Sequence, residues 1–100
     1  MKQRKARFTK SSGNVFLDIG FPPDEAKNLA VRAQLMIYLR DLIERRKLSQ
    51  VRAAKLFGVT QPRVSDLVRG KIHLFSVETL MGMLWRAGID VTIHLKPRAA

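Results

Sequence analysis

The sequence predicts a mainly α-helical bundle of four to five helices that ends in a single β-strand, and three observations carry that prediction. Leu35, Leu39, Leu42 and Ile43 recur at the spacing of a core-facing helical stripe. Ser49, Thr60 and Ser76 each stand at the head of a short stretch with apolar periodicity, where a hydroxyl oxygen can accept an N–H of the first helical turn. Residues 90 to 96 then switch to strict alternation.

Residues 1 to 14 are basic and polar and end in Ser11-Ser12-Gly13-Asn14, too poor in apolar side chains to offset the entropy of ordering, so a flexible N-terminal arm is expected. Residues 15 to 23 form a docking segment in which Val15, Phe16, Leu17, Ile19 and Phe21 make an apolar patch stopped by Pro22-Pro23. The patch is too short to assign as helix or strand; it covers either this core or a partner. The main domain, 24 to 96, opens with Asp24 as the cap of a helix running to about Arg46. Glu25 lies near its positive end, and Arg45, Arg46 and Lys47 near its negative end, as the helix dipole favours.

Three short helices follow. Ser49 opens one over about 50 to 57, and Thr60 opens one over about 61 to 69 that ends at Gly70, with Pro62 in its first turn where no N–H is missed. Ser76 opens the last, which ends near Gly88. Val59 with Val64, and Phe75 with Leu80, occupy staple positions around two of these caps. In the tail, Val91, Ile93 and Leu95 alternate with Thr92, His94 and Lys96. A lone strand cannot satisfy its own backbone, so it must pair with the Val15 region or with its counterpart in a second subunit.

The chain has 100 residues and 46% hydrophobic side chains, enough for one core, and a net charge of +11. The excess is placed unevenly. Residues 1 to 10 hold Lys2, Arg4, Lys5, Arg7 and Lys10 with no acid, and residues 45 to 71 hold eight basic side chains against Asp66 alone. Such segregation points to a polyanionic partner rather than to a merely solvated surface. No Cys is present, which removes disulfides and thiolate chemistry and suits a reducing cytoplasm. No apolar run approaches the length of a membrane span or of a secretory leader. His73 and His94 have no acid at ligand spacing, so no metal site is expected, and neither a phosphate-cradling Gly loop nor a nucleophile motif occurs. Neither an enzyme nor a cofactor is therefore expected. Met81, Met83 and Trp85 read as packing or dimer-interface residues.

Function concentrates in QVRAAKLFGVTQPRVSDLVR, residues 50 to 69. It reads as helix, Gly turn, helix: Ala54 is small at the crossing, Gly58 allows the turn, and Val59, Val64 and Leu67 anchor the second helix. The polar remainder then faces outward. Gln61 and Arg63 are the expected base readers, because Gln can bond adenine and Arg can bond guanine bidentately, with Ser65 beside them. Gln50 and Thr60 lie at helix starts suited to a phosphate, while Arg52, Arg69 and Lys71 are expected to clamp the backbone. Asp66 would repel phosphates, so it pairs with an Arg or accepts from cytosine.

Residues 35 to 88 resemble the Cro/C1-type (XRE) helix-turn-helix domain, with its lambda-repressor-like bundle, through LSQ at 48 to 50, Ala54, Gly58-Val59, Val64 and Leu67. Lys47 departs from that pattern, which often has Gly there. The wider string, SSGNVF at 11 to 16, TQPRVSDLVRGK at 60 to 71 and FSVETL at 75 to 80, is similar to HigA-type antitoxins. The resemblance implies a cytoplasmic homodimer that binds a palindromic operator in double-stranded DNA, represses its own operon and neutralises a RelE-like ribonuclease toxin. In that reading the Val15 to Phe21 patch touches the toxin. A rival is an architectural or RNA-binding protein that acts through charge alone.

Overall fold

The core is organised by one long helix and three short ones, in a computed structural model that describes residues 13–99. The arm expected over 1 to 14 lies outside the described residues except for Gly13 and Asn14. Asn14 belongs to the folded part: its side chain caps a four-residue helix, α1 (Val15–Asp18), by accepting from the N–H groups of Phe16 and Leu17, and its Nδ2 donates to the Ala26 carbonyl at 3.1 Å. The docking segment is thus a helical turn tied to the next helix, with Phe16 and Phe21 meeting edge to face at 6.1 Å.

The long helix, α2 (Pro23–Arg45), starts one residue before the expected cap. Pro23 supplies a pre-set φ and needs no hydrogen-bond acceptor at the first position. Asp24 is then inside the first turn, where its carboxylate accepts from the Glu25 N–H at 2.9 Å. The helices α3 (Gln50–Phe57), α4 (Gln61–Val68) and α5 (Val77–Arg86) follow, with a 3-10 turn at Ile72–Leu74 between the last two. Ser49 caps α3 by accepting from the Arg52 N–H, and Ser76 caps α5 by accepting from the Thr79 N–H. Thr60 precedes α4 without a side-chain cap bond. The reason is local: Pro62 has no N–H to give, and the Arg63 N–H is bound to the Thr60 backbone carbonyl at 3.1 Å.

Four helices close in the same way. Leu48, Val59, Lys71 and Ile89 each send an N–H back five residues, to the carbonyls of Ile43, Ala54, Asp66 and Leu84. Each closure needs a left-handed residue just before it, and these are Lys47, Gly58, Gly70 and Gly88. Lys47, at φ 52°, is the one among them that carries a Cβ, and it stands where the resemblance leads one to look for Gly.

Leu39 and Leu42 of α2, Ala53 and Phe57 of α3, Val64 and Leu67 of α4, and Leu80, Met83 and Leu84 of α5 form one buried cluster, closed by Phe75. Both partners of the Phe75–Leu80 staple are fully buried, and Val59 packs at the margin beside Val64. Met81 is half-buried and Trp85 exposed, so of the three side chains assigned to packing or an interface only Met83 enters the core.

The bundle agrees with the mainly helical expectation, but the C-terminal β-strand does not occur: no strand is present among the described residues, and 89–99 have no regular structure. The physical cause is the lack of a ladder partner among the described residues. The Val15 region, one of the two partners considered, has spent its backbone groups on α1.

Candidate nucleic-acid interface

The candidate interface is built on α3, the Gly58 turn and α4. Gly58 takes φ 72°, and the Val59 N–H reaches the Ala54 carbonyl at 3.0 Å, so the chain reverses within two residues and lays α4 across α3. Val64 and Leu67 are completely buried and fix the rotation of α4 about its axis. At about 3.6 residues per turn, Pro62, Ser65 and Arg69 then lie opposite that buried stripe, while Gln61 and Arg63 flank it on either side.

The nominated residues fall into distinct situations. Gln61, Thr60, Arg52 and Arg69 are exposed, and Gln50, Ser65 and Lys71 are half-buried. Together they line the helix starts and the outer edge of one continuous segment. The Thr60 hydroxyl has no bonding partner among the described residues. Asp66 pairs with Lys71 (Nζ to Oδ1 3.8 Å) rather than with an Arg, a contact between partly exposed groups that contributes under about 1 kcal/mol.

Arg63 is placed differently from the sequence expectation of a free outward side chain. Its guanidinium donates to the Leu74 carbonyl at 2.9 Å and lies over the Phe75 ring, 4.4 Å from the centroid. The flank of the buried stripe faces the 3-10 turn, and this positively charged planar group finds there both a carbonyl and an aromatic face. Sequence reasoning also missed Arg32. From α2 it donates to the carbonyls of Ile72 and Phe75, at 3.2 and 3.3 Å, and its Nε donates to Asn28. Two arginines from different helices thus hold the turn after α4. The i, i+4 spacing of Asn28 and Arg32 is visible in the sequence, but no sequence signal links Arg32 to residues forty positions away.

The model of a family described as a helix-turn-helix domain matches residues 15–96, which is most of the chain. The protein belongs to this helix-turn-helix family. A solved structure described as a putative XRE family transcriptional regulator is 38% identical, with a TM-score of 0.70, over 76% of this chain and 90% of that one. No curated protein matches. The helix-turn-helix assignment accounts for the burial of Ala54, Val64 and Leu67, which lie where its two helices cross. Among the described residues, no helix is long and apolar enough to cross a membrane, and no cluster of metal-ligating side chains occurs.

Proposed function

We propose that this helix-turn-helix protein is a sequence-specific DNA-binding transcriptional regulator that represses its own operon as a cytoplasmic homodimer. One observation carries the reading: Val64 and Leu67 pin α4 so that its N-terminal polar edge is presented to solvent, within a segment that carries eight basic side chains and one acid. Gln61 and Ser65 read base edges in the major groove. Thr60, with its uncommitted hydroxyl, and Gln50 bind phosphate at helix starts, and Arg52, Arg69 and Lys71 set the register on the backbone. Arg63 joins the base readers by exchanging the Leu74 carbonyl for a guanine edge, so its readout carries the cost of leaving a contact made in the free chain.

Selection from random duplexes tests the reading. A consensus emerges, Gln61→Ala relaxes it at one base pair at a cost of about 1–3 kcal/mol, and Arg69→Ala weakens all sequences alike. A selection that returned no consensus would favour the rival based on charge alone.

A second reading, an antitoxin that neutralises a RelE/HigB-like ribonuclease, is favoured by α1. Val15 and Ile19 are 61% and 67% exposed, Leu17 and Phe21 are exposed beside them, and Phe16 is half-buried. Residues 13 to 26 carry Asp18, Asp24 and Glu25 and no Lys or Arg, so this patch suits a basic protein and is separate in charge from the DNA face. Co-purification of a small basic partner with the full chain, lost on Ile19→Asp while DNA selection persists, distinguishes this role.

A further inference from the structure

We propose that two copies of the chain pair residues 90–96 as an antiparallel ribbon whose two-fold axis passes through Ile93. The homodimer belongs to the function proposed above; the interface and its register are what the tail adds. After the Ile89 N–H bonds the Leu84 carbonyl, no backbone group of 90–99 is hydrogen-bonded among the described residues. Val91 still packs against the core, but Ile93 and Leu95 are 68% and 91% exposed, and Trp85, on the last turn of α5, is 70% exposed. An alternating segment with unmet backbone groups is half of a ladder.

The other half is supplied by the same residues in reverse. In the sequence DVTIHLK, antiparallel pairing centred on Ile93 sets Val91 opposite Leu95, Thr92 opposite His94 and Asp90 opposite Lys96, each twice. Apolar residues then meet apolar residues, and acids meet bases. Parallel pairing would instead oppose Asp90 to Asp90 and Lys96 to Lys96, which is destabilising. A slip of one residue would oppose apolar to polar side chains. A slip of two places either moves Asp90 away from Lys96 or brings Pro97, which has no N–H, opposite Val91.

Charge on the whole molecule favours the same surface. Two chains of net charge +11 repel, yet residues 72 to 97 carry Glu78 and Asp90 against Arg86 and Lys96 and are neutral. The eight basic side chains of residues 45–71 lie outside this neutral stretch in sequence, so pairing through the tail opposes little like charge. With Trp85 at its base, the ribbon gives the largest exposed apolar side chain of the domain a neighbour.

The test uses Ile93→Cys in the full chain, which contains no other Cys. Paired residues on adjacent strands have Cα atoms about 4.5–5.5 Å apart, within disulfide range, and Ile93 is the one position that meets itself. Mild oxidation should convert this variant to a covalent dimer, with Thr92→Cys and His94→Cys far less reactive. In sedimentation, Asp90→Lys and Lys96→Asp should each weaken the dimer by roughly three- to thirty-fold, and the double reversal should restore it. These positions lie outside every helix, so circular dichroism checks that the fold persists. A monomer, or a dimer that neither cross-links in the Ile93→Cys variant nor responds to the reversals, overturns the ribbon. DNA selection is scored separately: a monomer that still selects a consensus sinks the ribbon alone, and a dimer that selects none sinks the DNA reading alone.

Discussion

Replacing Gly58 by Ala perturbs the turn that sets α4 on α3, and its cost follows from two features of that turn. Gly58 sits at φ 72°, where an L side chain loses about 1–2 kcal/mol. The unfolded chain of the Ala variant has less freedom to lose, which returns about 0.4–1 kcal/mol. A Cβ would also fall on the Arg86 side chain, which lies against Gly58. Because that side chain is long and flexible, it can swing away, giving up contact along its stem rather than forcing the backbone apart. With the lost Arg86 contact added to the roughly 0–1.6 kcal/mol left by the two backbone effects, the net destabilisation is about 0.5–2 kcal/mol, a fall in Tm of roughly 2–15 °C for a domain of this size. Urea and thermal unfolding followed by circular dichroism measure it. Arg86→Ala in both backgrounds separates the two sources: coupling between the substitutions reports the displaced side chain, and what remains reports the backbone. A Gly58→Ala protein within about 0.3 kcal/mol of the parent would refute the claim that this turn depends on left-handed backbone.

The converse substitution, Lys47→Gly, relieves the one left-handed closure that carries a Cβ, and it should raise stability by about 0.5–1 kcal/mol in the same unfolding assay. Arg63→Ala removes a hydrogen bond to Leu74 and a stack on Phe75, so the free protein should lose about 1 kcal/mol as well as preference at one base pair. Lost preference with no loss of stability would mean that the contact seen in the single chain contributes nothing to folding.

Much of the fold was legible because its determinants are local. Ser49 and Ser76 cap helices by bonds spanning three residues, and the turns after α2, α3, α4 and α5 close over five. The Leu39 and Leu42 stripe and the Phe75–Leu80 staple likewise follow from spacing along one helix or across one cap. Thr60 shows the limit of reading one residue at a time: its hydroxyl is spare because Pro62, two places on, has no N–H for it.

The sequence by itself determined the helix-turn-helix, the rotation of α4 that buries Val64 and Leu67, and the confinement of the basic excess to 1–10 and 45–71, apart from the apolar stretch at 15–21. These depend on interactions between near neighbours or on composition, which the chain carries in any conformation. Only the tertiary structure decided where Arg63 and Arg32 spend their hydrogen bonds, since their acceptors reach them after α2, α4 and the 72–75 turn have been brought together. It alone also decided that the alternating tail stays without a ladder among the described residues, because whether a strand forms depends on what lies beside it and not on its own pattern.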